Sequence, residues 1–231
     1  LPAYIGRIPC VDVINMCQRY HIDSGGMPWA LRKMLAEVER QQRERRSGVR
    51  PSGQFAEGLT VRRGDVCPSD CAAVLTAERL LAMCWGIPRF DSLGTVICAH
   101  SETIESRPFF RAARRCSVPA AHYYAWEDSG FSRTTYRIGM KGRPLLIAGL
   151  YHTIAGVPAF CILTRPPAPR IASISSRMPV ILPENARDAW LAGASANAVF
   201  AAAELGVSFE EVPVRFELAH SVASAFWARN R

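Results

Sequence analysis

The segment Lys141-Gly142-Arg143-Pro144 divides two β-like runs, Thr134 to Met140 and Leu145 to Tyr151. Gly and Pro at this point favour a turn, and Pro offers no N–H to a strand ladder, so the segment reads as a turn-like connection. More short runs of the same kind fill the middle of the chain. Val118 to Trp126 is rich in aromatic residues, and Phe160 to Thr164 and Met178 to Leu182 read as buried strands. Val212 to Leu218 alternates apolar and polar, as a half-buried strand does. No βαβ rhythm, internal repeat or long linker interrupts this pattern. The chain is therefore expected to be α+β, with one curved, largely antiparallel sheet and peripheral helices.

Helices are expected at the ends and in the connections. Residues 28 to 46 place Leu31, Met34, Leu35 and Val38 on one stripe, with Pro28 in the first turn and Arg43, Arg45 and Arg46 in the last. Ser47 and Gly48 stop that helix, and a Gly, Ser and Pro-rich loop runs to about residue 58. A second helix is expected from Ser106 to Arg114, with Ser106 as N-cap and Pro108 in the first turn. Pro183 opens a third through Trp190 and Leu191, and Ala196 to Leu205 makes an Ala-rich fourth.

The 231 residues fit one domain, and 49% are hydrophobic, enough for a sizeable core. No run reaches the ~18 apolar residues of a membrane span, and no stretch has the order of a signal peptide. A cytoplasmic location is expected. The eight cysteines lie at 10, 17, 67, 71, 84, 98, 116 and 161. Cys67 and Cys71 lack the second half of a zinc motif. Reduced, buried thiols are expected, with no metal and no cofactor. The net charge is +8, carried by 26 Arg and 2 Lys. Two explanations fit that bias: GC-rich coding, or a phosphate-binding surface that uses the bidentate guanidinium. No Ser-His-Asp, Cys-His or zinc-protease pattern points to cleavage of other proteins.

Four separated segments carry a resemblance. They are Cys17-Gln18-Arg19-Tyr20, Cys98-Ala99-His100-Ser101-Glu102-Thr103, Pro119 to Trp126, and Ser175-Ser176-Arg177-Met178-Pro179. Together they resemble the SOS-response-associated peptidase family, the abasic-site processing proteins. That family reads Met-Cys-Gly-Arg, Asn-Ala-Arg-Ser-Glu-Thr, Phe-Tyr-Glu-Trp and His-Asp-Arg-Met-Pro at these places. Gly64-Asp65-Val66-Cys67-Pro68 is similar to its Tyr-Asn-Val-Ala-Pro loop, and Trp85-Gly86 matches a Trp-Gly pair. The resemblance implies a twisted pseudo-barrel, with residues 1–16 as an N-terminal extension and 17–231 as one domain.

It also implies a chemistry. The amine of an N-terminal cysteine forms a Schiff base with the aldehyde of an abasic site, and the thiol closes a thiazolidine ring. An α-amino group titrates near ~7.7–8.0, so nearby groups must move protons. The family uses a Glu and a His, with an Asn holding the cysteine. Here Cys17 takes the nucleophile position, Cys98 the Asn position, Ala125 the Glu position and Ser175 the His position. Glu127 shares a strand face with Ala125 and is a candidate substitute; His122 and His152 are candidates for the imidazole. Arg19, Pro68, Trp85, His100 and Arg177 are the expected DNA contacts, cations for phosphate and rings for stacking on unpaired bases.

Sixteen residues precede Cys17, so its nitrogen lies in a peptide bond. Self-cleavage, or translation from Met16 followed by Met removal, would expose it. Tyr4, Ile5, Ile8, Val11, Val13 and Ile14 make the extension apolar enough to pack on the body. Three functions follow as expectations. The first is a diverged protein that binds single-stranded or abasic-site DNA with reduced or lost crosslinking. The second is an active crosslinking enzyme that removes its own extension. The third is a protein-interaction module without DNA binding.

Overall fold

The computed structural model describes residues 18–22, 61–89, 94–128, 133–201 and 207–212. At its centre five strands pair in a ring. They are β3 (Cys71–Leu75), β4 (Leu80–Trp85), β8 (Arg114–Ala120), β11 (Leu145–Ile154) and β12 (Val157–Arg165). The order runs β11-β8-β3-β4-β12, and β11 also pairs with β12, which closes the ring. All these pairings are antiparallel except β4 with β12. β7 (Cys98–His100) runs parallel to β12, and β13 (Met178–Pro179) extends the sheet beyond it.

A second sheet has the order β14-β10-β9-β1-β2 and is antiparallel throughout. Its strands are β1 (Tyr20–Ile22), β2 (Gly64–Val66), β9 (His122–Asp128), β10 (Arg133–Gly139) and β14 (Ser208–Val212). β5 (Ile87–Pro88) and β6 (Thr95–Val96) form a small ribbon. The helices are α1 (Pro108–Arg111), α2 (Glu184–Leu191) and α3 (Ala196–Ala201). The architecture is the α+β pseudo-barrel expected, with the curvature carried through to closure.

β11 and β12 are apolar at nearly every position because each of their faces covers a different core. On β12, Phe160 and Ile162 point into the cluster that contains Trp85, Tyr20 and Ile147. Ala159, Cys161 and Leu163 point the other way, towards Trp190, Phe110 and Val199 of the helices. β11 divides likewise, with Leu145, Ile147 and Tyr151 inside and Ala148 and Leu150 outside. Ala155 and Gly156, both at positive φ, make the two-residue turn that lets these strands fold back on each other. Trp190 is anchored by its indole N–H, which donates to the Cys116 carbonyl at 2.9 Å.

Several expectations shift in detail. The run Val118 to Trp126 is two strands, because at Ala121 the chain leaves the barrel for the second sheet; the Ala121 N–H donates to the His21 carbonyl there. The helix expected from Ser106 to Arg114 shrinks to α1, since Arg114 already pairs with Tyr151. Its cap is Arg107, and the Ser106 hydroxyl donates instead to the Thr103 carbonyl. The hairpin β3–β4 was not anticipated. Its Ala, Leu and Met residues favour helix, and burial on the barrel outweighs that preference. Of the strand expected at Val212 to Leu218 only Val212 is described, as the last residue of β14. The helix at 28 to 46, the extension 1–16, Cys17 and residues 213–218 lie outside the described residues.

Gly149 sits where three strands meet, opposite Cys116 on β8 and Ile162 on β12. A Cβ there would stand 2.9 Å from both the Cys116 sulfur and the Cys161 carbonyl oxygen. Gly149→Ala is expected to destabilise the fold by about 1–3 kcal/mol, the usual cost of overpacking a closed core. Equilibrium denaturation of the two proteins checks this; equal midpoints would show that the strands have room to part.

Candidate functional site

Two of the resembling segments hold each other directly. Arg177, just before β13, forms a bidentate pair with Glu102, Nη1 to Oε1 at 2.7 Å and Nη2 to Oε2 at 2.8 Å. Its Nη2 also donates to the Thr164 carbonyl at 2.7 Å. Glu102 lies in a 3-10 turn at Ser101–Thr103, directly after β7. The two motifs are therefore clamped across β12. The Arg177 side chain is only 16% exposed and Glu102 is 44% exposed. Hydrogen bonding from Arg177 holds the Glu102 carboxyl down from the ordinary 4.5 to about 2. Expected as a phosphate contact, Arg177 has its charge already committed to Glu102 and acts as a positioning residue for the His100–Thr103 segment. Glu102 was the residue missed.

A second cluster surrounds the start of β1. The Asp65 carboxylate on β2 accepts hydrogen bonds from His21 Nδ1 at 2.7 Å and from the Tyr124 hydroxyl at 3.1 Å. With that hydroxyl proton spent on Asp65, His122 Nε2 donates to the Tyr124 oxygen at 3.2 Å. The His21 and His122 rings stack 4.8 Å apart. Arg19 Nη1 lies 3.5 Å from Asp65 Oδ2, and its guanidinium covers the Tyr124 ring at 4.5 Å and the Trp126 ring at 5.9 Å. The pairings Tyr20↔Val66 and Tyr20↔Tyr123 bring these side chains to one region of the sheet. Burial first, and then the Asp65 charge, push the Tyr124 phenol up. Of this group Arg19, as a DNA contact, and His122, as a candidate imidazole, were expected from the sequence. The spacing of Tyr124 and Trp126 on one strand face was a usable signal, but no local pattern announces that Asp65 and His21 would meet.

The residues that the resemblance sets at reactive positions lie in different surroundings. Ala125 is 5% exposed and belongs to the core with Tyr20, Tyr123 and Ile138. Glu127, its suggested substitute, accepts a hydrogen bond from the Tyr136 hydroxyl at 2.9 Å on the neighbouring strand. Ser175 is buried, and its hydroxyl donates to the Arg177 carbonyl at 2.8 Å, fixing the turn that delivers Arg177. Cys98 begins β7, opposite Ile162. His152 donates from Nε2 to the Phe109 carbonyl, between β11 and α1, where it braces the helix. His100 is exposed at the end of β7, and Pro68 is half-buried in the turn after β2. Burial and the Asp70 carboxylate push the neighbouring Cys67 thiol up.

Trp85 is the clearest correction among the expected DNA contacts. Its ring is 1% exposed, packs 5.1 Å from Tyr20 and 6.2 Å from Phe160, and donates to the Ile97 carbonyl at 2.9 Å. No base can stack on it. Its backbone carbonyl accepts from the Ser69 N–H and its N–H donates to Asp70, so it positions the turn that carries Pro68. Among the described residues no group of three or more His, Cys, Asp or Glu is placed to hold a metal. No helix among them is long and apolar enough to cross a membrane.

Comparison with known proteins agrees with the motif reading. Residues 16–219 match the model of the family described as SOS response associated peptidase (SRAP). Abasic site processing protein YoaM of Bacillus subtilis is 34% identical over 130 residues, covering 49% of this chain and 57% of that protein. YobE of the same organism is 31% identical over 129 residues, covering 49% and 59%. The match thus spans a little over half the length of these curated relatives. Among solved structures, a protein of Bacteroides thetaiotaomicron superposes with a TM-score of 0.62 at 17% identity, covering 85% of this chain and 92% of its own. A phage-related protein of Bordetella bronchiseptica gives 0.61 at 20%, covering 86% and 95%. At these identities the structures establish the shared fold.

The Arg177–Glu102 pair carries a pH signature. Because the folded pKa of Glu102 is depressed, its contribution is fully present above the ordinary 4.5 and is lost as pH falls towards about 2. The stability difference between wild type and Glu102→Gln is therefore expected to be constant from pH 8 to 5 and to shrink below that. Denaturation midpoints measured across this range check it. A difference that grows on acidification would contradict the pairing.

Proposed function

The chain belongs to the SOS response associated peptidase family, and on that basis we propose that it binds single-stranded or abasic-site DNA while its thiazolidine crosslinking is reduced or lost. The observation that carries this reading is the buried methyl of Ala125 in the place of the family's proton-transferring Glu. A methyl group moves no proton, and the loss of one general acid or base typically costs ~10²–10⁴ in rate. Ser175, in the place of the imidazole, spends its hydroxyl on the Arg177 carbonyl. The scaffold around them is kept, including the Arg177–Glu102 clamp and the turn that carries Pro68. With Arg177 and Trp85 occupied internally, Arg19, Pro68 and His100 remain as the contacts proposed for DNA. Arg19 supplies the cation, held over Tyr124 and Trp126.

A second reading, an active crosslinking enzyme with relocated proton-transfer groups, has one observation in its favour. His21, Asp65, Tyr124 and His122 form a connected hydrogen-bonded chain beside Arg19, two residues along the sequence from Cys17. In this reading Asp65 and the imidazoles do the work of the absent Glu and His. The amine of Cys17 still has to be released, by self-cleavage before it or by a start at Met16.

Single-stranded DNA carrying one abasic site, incubated with protein beginning at Leu1 and with protein beginning at Cys17, separates these readings. Binding that weakens steeply with salt is expected, because phosphate contacts release counterions. No covalent band on a denaturing gel is expected from either protein. A band from the Cys17 form that disappears in Asp65→Asn would establish the second reading instead. Binding that is absent or insensitive to salt would overturn both and leave a protein-interaction module.

A further inference from the structure

We propose that Cys71 and Cys84 are a redox-modified pair that closes reversibly into a cross-strand disulfide with a small-molecule disulfide as oxidant. The two residues are directly opposite on antiparallel β3 and β4. Their sulfurs lie 2.8 Å apart, in thiol–thiol contact. The register makes the site suitable. The Trp85 N–H donates to the Asp70 carbonyl, and the Thr76 N–H to the Arg79 carbonyl. Hydrogen-bonded pairs therefore alternate at 70:85, 72:83, 74:81 and 76:79, which leaves 71:84 as a non-hydrogen-bonded pair. Opposed Cα atoms in such a pair are about 4.5 Å apart. That falls inside the window of about 4.4–6.8 Å that a disulfide bridges, at its short and strained end. Strained bridges are the more easily reduced ones, so the bond is expected to form and break rather than persist.

Access and reactivity agree with the geometry. Both cysteines are half-buried, and along β4 Cys84 faces away from Trp85 and the barrel core, so a small oxidant reaches the pair. The contact also distributes their protons unequally. The hydrogen bond from Cys71 lowers the Cys84 thiol, and the same bond raises Cys71. With Cys71 as the donor in this contact, Cys84 takes the part of the attacking thiolate. It displaces one thiolate from the oxidant RSSR to give a mixed disulfide. Cys71, deprotonated as it attacks, then displaces the second thiolate from the Cys84 sulfur. The products are one protein disulfide and two RSH, with the two cysteine protons ending on the two leaving thiolates. Cys116 and Cys161 provide the contrast. Both are completely buried, and burial pushes Cys161 up to about 12.

The bridge would lie beside the turn that presents Pro68. Asp70, which precedes Cys71, accepts from the Trp85 N–H, and the Ser69 N–H donates to the Trp85 carbonyl. Oxidation therefore fastens the base of that turn, whatever ligand the turn serves.

The test poises the full chain in a series of reduced and oxidised glutathione mixtures, then blocks remaining thiols with iodoacetamide. Trypsin cuts after Arg63, Arg79 and Arg89, which puts Cys71 and Cys84 on different peptides. In a Cys67→Ser background Cys71 is the only cysteine of the peptide 64–79. The expected result is one linked pair of peptides, 64–79 with 80–89, lighter by the two thiol hydrogens and separated by dithiothreitol. In reduced protein Cys84 should alkylate at least about tenfold faster than Cys161. Cys71→Ser should trap Cys84 as the unresolved glutathione mixed disulfide; if that variant does not fold, Cys71→Ala serves the same purpose. Complete alkylation of Cys84 at the most oxidising poise would overturn the proposal, as would a bridge from Cys84 to any other cysteine.

Discussion

Closure of the barrel by the pairing of β11 with β12 is the constraint on which the rest of the molecule depends. Without it the sheet β11-β8-β3-β4-β12 would leave the facing edges of β11 and β12 unpaired. With it every strand of the ring has both neighbours. Closure is steep in its demands. It needs a tight turn at Ala155 and Gly156, and it needs Gly149 to present no side chain where β8, β11 and β12 crowd together. It also separates two apolar clusters, one inside the ring and one beneath the helices, and this explains why β11 and β12 read as continuous apolar runs.

The ring carries the family's motifs as attachments that brace one another. Trp85 joins the barrel to the second sheet through Tyr20, and through its backbone it fixes the turn of Ser69 and Asp70. Arg177 joins the segment after β12 to the segment after β7, although the partners are 75 residues apart in sequence. Trp85 and Arg177 thus have internal duties, while Ala125 lies in the core and Ser175 fixes the turn before β13. A buried guanidinium that loses its carboxylate leaves an uncompensated charge, a strong penalty on folding.

Much of the architecture was legible in the chain. The turn at Lys141-Gly142-Arg143-Pro144 does separate β10 from β11, the helix after Pro183 runs to Leu191, and the α+β class holds. What was not legible has a common cause. The β3–β4 hairpin is built of Ala, Leu and Met residues whose local preference is helical, and only its place in the ring makes it β. Trp85 looked like a stacking platform because an isolated aromatic carries no sign of its burial. Arg177 looked like a phosphate ligand because the sequence does not say that Glu102 is 2.7 Å away.

The sequence by itself determined the α+β class, the turn between β10 and β11, the strand at Phe160 to Thr164, the helix after Pro183 and the motifs that mark the family. Those properties are local: side chains alternate with a period of two, Gly and Pro punctuate, and motif identity is read one residue at a time. Only the tertiary structure decided which strands are neighbours, including the one parallel ring pairing of β4 with β12. It also decided that Arg19, His21, Asp65, His122 and Tyr124 converge and that Cys71 faces Cys84. A period-two pattern states which face a residue occupies but not what lies across the gap. The partner is set by the order in which strands enter the ring, and that order depends on closing loops and burying two cores at once.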